Sequence, residues 1–183
     1  MKSGCLKSSI PLLVILLLTH YCSHIEAEQR HPSGEVVGKK LPPGENDSDF
    51  CVPGKAYSTY RCSPPVSSRT KAFLTFNVFE EGGDIPSFCD AKNYSNDKPI
   101  VALSTGWFDN ASRCLKRINV TANGRSVLAL VVDECASAMG CDADNDYQPP
   151  CANNIVSASS AVWKALGVPH DKWDGLNITW SDA

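Results

Sequence analysis

The chain has 183 residues, of which 43% are hydrophobic and 20% are charged, and its formal net charge is −3. This length fits one domain with a tail and is large enough to bury a core. The negative charge argues against a general nucleic-acid binder, because such a protein needs a basic surface that displaces counterions. Twelve Gly and twelve Pro, neither periodic nor dominant, exclude a collagen-like or low-complexity chain.

The N-terminus has the pattern of a secretory signal peptide. Lys2 and Lys7 precede an apolar run at residues 10–18, which is too short for a membrane-spanning helix. We expect residues 1–27 to be removed after Ala27; a cut after Ser23 and a buried N-terminal helix are the alternatives. No later run reaches membrane length, so a secreted, extracellular protein with no membrane partner is expected.

Residues 28–50 are rich in Gly, Pro and charged side chains and contain no cysteine. This composition predicts a flexible N-terminal segment. The folded domain is therefore expected at residues 51–183.

Seven cysteines follow the predicted signal peptide. In the oxidising secretory route they are disulfide candidates first, and their spacing is poor for zinc. Because seven is odd, three bridges and one spare thiol are expected, or one intermolecular bridge. The candidates are Cys51, Cys62, Cys89, Cys114, Cys135, Cys141 and Cys151.

Short β-strands dominate the rest of the chain. Asn123-Gly124 tolerates the positive φ angles of a type I′ hairpin between two of them. Ser159 is a candidate N-cap for a helix at residues 160–166, which Gly167 ends. Many short strands with one short helix favour a small barrel over a sandwich or a Rossmann sheet. The strands are predicted at residues 72–79, 100–104, 115–121, 126–132 and 176–180.

An acidic motif, Asp142-x-Asp144-x-Asp146, resembles the opening of a calcium loop. An EF-hand also needs Gly at position six and Glu at position twelve, where this chain has Tyr147 and Asn153. A solvated acidic loop is the favoured interpretation, and no metal or other cofactor is predicted.

Asp133 ends the predicted central strand. A carboxylate there can serve as a general acid or base, but glycoside hydrolysis needs a second carboxylate across a cleft. The alternative is that Asp133 accepts backbone N–H groups and orients the next loop.

The four tryptophans divide by position. Trp163 and Trp180 lie on predicted regular elements and are assigned to the core. Trp107 and Trp173 lie in apparent loops and are the better surface candidates, because exposed aromatic side chains carry much of the energy of interfaces.

Several segments, in order from Cys51 to the C-terminus, together resemble the kiwellin, or plant ripening-related, proteins. They are GKAY at 54–57, CSPPV at 62–66, VALSTGWF at 101–108, VVDEC at 131–135, QPPC at 148–151, NNIV at 153–156, AVW at 161–163, ALG at 165–167 and ITWSDA at 178–183.

The resemblance implies a mainly β fold, a six-stranded, disulfide-stapled double-psi β-barrel with one or two short helices, similar to barwin and to expansin domains. It also implies an apoplastic plant protein linked to ripening and defence. Some kiwellins bind and inhibit a secreted fungal chorismate mutase, and the family has no general enzymatic activity. Related barrels carry a catalytic Asp where this chain has Ser157, which leaves Asp133 without its usual partner.

We therefore expect a non-enzymatic defence protein that binds a protein partner, such as a secreted fungal effector, or a cell-wall polysaccharide. The rival hypothesis is an expansin-like or endoglucanase-like wall-modifying protein that uses Asp133. The oligomeric state stays open. The candidate partner-binding residues are Trp107, Phe108, Asp109, Asp142, Asp144, Asp146 and Tyr147.

Five Asn-x-Ser/Thr sequons make the secreted chain a candidate glycoprotein. The acceptor positions are Asn46, Asn93, Asn110, Asn119 and Asn177.

Overall fold

The computed structural model describes residues 31–41, 50–79 and 86–183. The predicted signal peptide, its cleavage site and Asn46 lie outside these residues. No helix in the described part of the chain is long and apolar enough to cross a membrane.

Eight strands and two short α-helices form within the described ranges. The strands are β1 (Gly34–Val37), β2 (Ala56–Thr59), β3 (Thr70–Phe76), β4 (Ile100–Ser104), β5 (Arg117–Ala122), β6 (Arg125–Cys135), β7 (Ile155–Ala158) and β8 (Leu176–Asp182), and the helices are α1 (Thr105–Phe108) and α2 (Ser160–Ala165).

Strands β3 to β8 close into a six-stranded double-psi β-barrel in the order β3-β7-β4-β6-β5-β8. The β3–β7 and β4–β6 pairs are parallel, and the other pairs are antiparallel. A closed sheet has no free edge strand. The predicted mainly β fold and barrel are confirmed.

Alternating side chains fill the barrel. Ile118 and Val120 of β5, and Ile178 and Trp180 of β8, point inward and are buried, while their sequence neighbours face outward. Fully burying such a side chain contributes about 1.5–3 kcal/mol. The interior is therefore a packed core, and ligand binding is left to the outer surface.

The predicted β5–β6 hairpin is confirmed. Asn123 and Gly124 have φ angles of 51° and 70°, as a type I′ turn requires. Strand β6 runs on to Cys135, three residues past its predicted end.

Helix α2 begins where predicted, but Ser159 does not cap it. The Ser159 hydroxyl instead donates to the carbonyl of Lys98 at 2.7 Å and accepts the N–H of Ile100 at 3.3 Å. The buried hydroxyl thus ties the start of α2 to the start of β4. The helix ends before Gly167, whose φ is +72°.

The N-terminal segment is more ordered than its composition indicated. Residues 34–37, inside the segment expected to be flexible, form β1 and pair with β2. The expectation of flexibility is wrong for these residues, because strand pairing satisfies their backbone groups. β1 and β2 form the N-terminal ribbon. The Cys51–Cys141 disulfide joins the segment between its two strands to the loop that follows β6.

All seven predicted cysteines are disulfide-bonded. The described pairs are Cys51–Cys141, Cys89–Cys114 and Cys135–Cys151. Cys62 is also disulfide-bonded in the full chain. The expectation of one spare thiol or one intermolecular bridge concerns the chain without residues 1–27, which hold two further cysteines, and it stays a prediction. Disulfides of this kind persist in oxidising compartments.

Candidate functional site

Asp133 lies near the end of β6, beside an irregularity in the β4–β6 pairing. Val131 pairs with Val101, but Asp133 pairs with the next residue, Ala102, so that Val132 is an extra residue. Bulges of this kind redirect side chains near functional sites. Val131 and Val132 are both buried, and the Asp133 side chain that follows them faces a groove.

The Asp133 carboxylate accepts hydrogen bonds from two backbone groups. The N–H of Glu134 donates to its Oδ1 at 2.8 Å, and the backbone of Phe88 supplies the second bond. Burial raises the pKa of Asp133 above its ordinary value, and the two hydrogen bonds oppose that rise. Asp133 therefore accepts backbone N–H groups, which is one of the two roles that the sequence left open, and its carboxyl group also faces the groove.

The groove has a volume of about 390 Å³. Asp133 and Ser157 lie on either side of Ala102 across β6, β4 and β7, and Thr75 of β3 follows Ser157. The residues that line it are Thr75, Phe76, Asn77, Ala102, Asp133, Glu134, Cys135, Ala136, Met139, Gly140, Asp144, Asn145, Asp146, Gln148, Pro149, Cys151 and Ser157.

Ser157 occupies the position where related barrels were expected to carry a second carboxylate. The Thr75 hydroxyl donates to the Ser157 hydroxyl at 3.1 Å. Glu134 also lines the groove, but its carboxylate accepts a hydrogen bond from the Thr105 hydroxyl. The floor opposite Asp133 therefore presents a pair of hydroxyl groups.

The acidic loop, residues 142–147, forms one wall of the groove through Asp144 and Asp146. Asn145 Nδ2 donates to Asp142 Oδ1 at 2.7 Å, and the Tyr147 carbonyl accepts the N–H of Cys51 at 2.8 Å. The first contact stabilises the loop itself, and the second joins the loop to Cys51, in the segment between β1 and β2. The described residues contain no cluster of three His, Cys, Asp or Glu side chains that could hold a metal ion.

An extension of about 690 Å³ continues the groove toward the N-terminal ribbon. The two parts share Phe76, Asn77, Gln148 and Pro149, and Val52 and Val78 line the extension. Val78 in the extension is 61% exposed, and Met139 in the groove is 54% exposed. Exposed apolar side chains around a concave surface are typical of interaction sites.

Two of the predicted partner-binding residues are in the core. Trp107 and Phe108 are each 1% exposed, because α1 turns both side chains into the barrel end. The Trp107 indole N–H donates to the Pro64 carbonyl at 2.7 Å. Their assignment to a binding surface is wrong, since a buried ring has no surface to offer a partner.

The other candidates lie at the surface with different surroundings. Asp144 and Asp146 line the groove, whereas Asp109 ends α1 and accepts a hydrogen bond from Ser112. Asp142 lies 3.8 Å from the Lys39 ammonium, and the Tyr147 ring packs near Phe50.

The exposed side chains of Phe76, Val78 and Met139 form an apolar rim that the sequence did not reveal. The strand predicted at residues 72–79 ends at Phe76, where the chain leaves the barrel, so Phe76 and Val78 are exposed. Asn77 marks this departure, and an Asn between two apolar residues was the available signal. Trp173, expected at the surface, is partly buried and packs against Phe76 and Trp163.

The predicted glycosylation sites differ in exposure. Asn93, Asn110 and Asn177 are exposed, and Asn119 is partly buried in β5. Their modification stays a prediction.

Comparison with known proteins identifies the family. The model of Kiwellin-1 matches residues 15–183. This chain belongs to the kiwellin family. The match begins well before Cys51, where the segments noted in the sequence begin, so the N-terminal ribbon is part of the kiwellin match.

Two curated kiwellin relatives are similar over most of the chain. Putative ripening-related protein 2 of Oryza sativa subsp. japonica is 51% identical over 157 residues, which cover 84% of this chain and 79% of the relative. Kiwellin of Actinidia chinensis var. chinensis is 58% identical over 134 residues, which cover 71% of this chain and 62% of the relative.

A solved structure of apo expansin from Clavibacter michiganensis is 19% identical, with a TM-score of 0.48. The similarity covers 63% of this kiwellin-family chain and 50% of the expansin.

Proposed function

We propose that this kiwellin-family chain is a secreted, apoplastic plant-defence protein that acts by binding and without catalysis. Its partner is a pathogen effector protein or a cell-wall component that docks on the groove and its extension. Family membership supports the defence role. The disulfide-bonded cysteines support secretion, because such bonds persist outside the reducing cytosol.

The observation that carries the proposal is the composition of the groove. Carboxylates on the floor and wall line the same groove as Met139, and Val78 lines the adjoining extension; both apolar side chains are exposed. Apolar anchors supply binding energy when a partner desolvates them, and charges fix its orientation. A protein partner with a cationic side chain between apolar residues fits this arrangement best.

A capture experiment from infected apoplastic fluid tests the proposal. The double variant Val78→Ala/Met139→Ala is expected to recover less of the partner than the wild type. Leu115→Ala/Leu128→Ala is the matched control, because those side chains are 47% and 49% exposed and line neither part of the groove. Equal recovery by the groove variant and the wild type would reject this surface.

The charges of the groove are tested in the same way. Asp144→Asn/Asp146→Asn is expected to lower recovery, and Asp171→Asn/Asp174→Asn, exposed positions outside the groove, is the control. An equal effect of both pairs would show that only the net charge matters.

The second candidate function is a wall-modifying enzyme that uses Asp133. The observation that favours it is a half-buried, groove-facing carboxyl group whose pKa is raised by desolvation, a feature of general acids. The hydroxyl pair of Thr75 and Ser157 argues against it, because the second carboxylate that hydrolysis uses is expected at the Ser157 position. The other carboxylates of the groove lie in the acidic loop or, in Glu134, accept a hydrogen bond from Thr105. Release of reducing ends from β-glucans by the wild type but not by Asp133→Asn would replace the binding proposal with this one.

A further inference from the structure

A second concave surface, the cleft, lies on the outside of the barrel over β3, β8 and β5. Its volume is about 530 Å³, and it shares no lining residue with the groove or its extension. Its polar lining consists of Arg69, Lys71, Thr121, Asn123, Asn177 and Thr179.

The strand register places three of these side chains in one row. Lys71 of β3 pairs with Thr179 of β8, and Thr179 pairs with Thr121 of β5. Their neighbours Ile178 and Val120 point into the core, so this row faces outward. Directly paired residues have Cβ atoms about 4.5–5.5 Å apart. One ammonium group and two hydroxyl groups therefore follow each other at the spacing of neighbouring strands.

The charge of the cleft is opposite to that of the groove. Arg69 and Lys71 are exposed, and neither forms an ion pair with any described acidic side chain. No acidic side chain of the described residues lines the cleft, although the whole chain carries a net charge of −3. A concave surface with unpaired cations concentrates anions.

We propose that the cleft binds an acidic oligosaccharide. Sugar carboxylates pair with Arg69 and Lys71, while sugar hydroxyls bond to Thr179 and to the hydrogen-bonding capacity that Thr121 and Asn123 retain. The Thr121 hydroxyl also bonds to the Ser126 hydroxyl, and Asn123 Nδ2 also donates to the Leu166 carbonyl. Carboxylates suit the two cations, and the neutral hydroxyl and amide groups suit the remaining sugar atoms.

The composition of the cleft disfavours a nucleic acid. Single-stranded nucleic acids bind through aromatic side chains that stack on bases and through several phosphate contacts. Within the part of the chain that the structure describes, the cleft is lined by two cationic side chains and by no aromatic one.

The Asn177 sequon lies inside the same cleft. Its acceptor Asn and its Thr179 both contribute to the lining, so a glycan on Asn177 would cover the sugar-binding groups. Full-length protein for the test is therefore produced with its disulfides in a host that lacks N-glycosylation.

Isothermal titration calorimetry with a galacturonate oligomer tests the proposal. Its fully methyl-esterified form, which has no charge, is expected to bind at least about tenfold more weakly, because the ion pairs are lost. Arg69→Gln/Lys71→Gln is expected to lower the affinity of the acidic oligomer by on the order of tenfold. Lys116→Gln/Arg117→Gln, also exposed and outside the cleft, makes the same change in net charge and is expected to have little effect.

Four results would overturn the proposal. They are the absence of measurable binding, equal binding of the ester, equal loss in the two charge variants, and single-stranded DNA binding as tightly as the acidic oligomer. Failure here is separable from failure of the groove proposal, because Val78→Ala/Met139→Ala leaves every cleft residue in place and is expected to bind the oligomer normally.

Discussion

Trp107 gives the sharpest test of the distinction between a buried aromatic and a binding aromatic. Its ring is 1% exposed and packs edge-to-face on Trp180, with 5.1 Å between ring centroids. Its N–H donates to the Pro64 carbonyl, and its own carbonyl accepts a hydrogen bond from Arg113 at 2.7 Å. Trp107 therefore joins α1, β8 and the segment before β3.

Replacing Trp107 with Ala is expected to lower the free energy of unfolding by about 3–5 kcal/mol, the usual cost of emptying a buried Trp site. Trp107→Phe keeps most of the apolar contact but loses the N–H donor. Its expected cost is about 1–2 kcal/mol, because the Pro64 carbonyl loses its donor. A domain stability of about 5–15 kcal/mol makes the larger effect a substantial fraction of the total.

Equilibrium unfolding in urea with intact disulfides, followed by far-ultraviolet circular dichroism, measures these differences. Val78→Ala is the control and is expected to change stability by less than about 0.5 kcal/mol, since its side chain is exposed. The burial argument is refuted if the free energy of unfolding of Trp107→Ala lies within about 1 kcal/mol of the wild-type value while the variant no longer binds its partner. Trp107 would then be a binding residue.

Three other perturbations follow from local geometry. Gly106→Ala is expected to destabilise the fold by at least about 1–3 kcal/mol in the same urea assay, because a Cβ there would lie 2.2 Å from the backbone nitrogen of Ser63; wild-type stability would contradict this. The raised pKa of Asp133 means that the folded state holds its proton to higher pH than the unfolded state, so wild-type stability should decline as pH rises from about 4 through the folded pKa. The urea midpoint of Asp133→Asn should not show that decline with pH. If the midpoints of the wild type and of Asp133→Asn change with pH in parallel, Asp133 is not the cause of the decline. Cys51→Ser/Cys141→Ser is expected to cost about 4 kcal/mol, because the bridge joins residues separated by 90 positions; an unchanged urea midpoint would show that the remaining contacts suffice.

The barrel was predictable because its strands have local signals. Ile118 and Val120 alternate with polar residues, and Asn123-Gly124 marks the turn by chemistry that few other residue pairs share. Strand order was not available from these patterns. It came only with the family resemblance, since parallel pairing joins residues far apart in the chain.

The candidate site was predicted only in part. Asp144 and Asp146 were chosen for their charge and do line the groove. Trp107 was misplaced because a four-residue helix has no periodicity to show which face is buried, and its acceptor, Pro64, lies 43 residues earlier. Val132 was equally hidden, because an extra residue in a strand depends on the register with β4.

The two proposed surfaces are physically separate, and this has a measurable consequence. The groove uses the ends of β3 and β6 together with β4 and β7, whereas the cleft uses the start of β3 with β5 and β8. Mutational effects at sites without shared partners usually add. A chain that carries both Val78→Ala/Met139→Ala and Arg69→Gln/Lys71→Gln should therefore lose protein capture and oligosaccharide binding each to the extent seen in the separate variants. A larger or smaller loss would show that occupation of one surface changes the other.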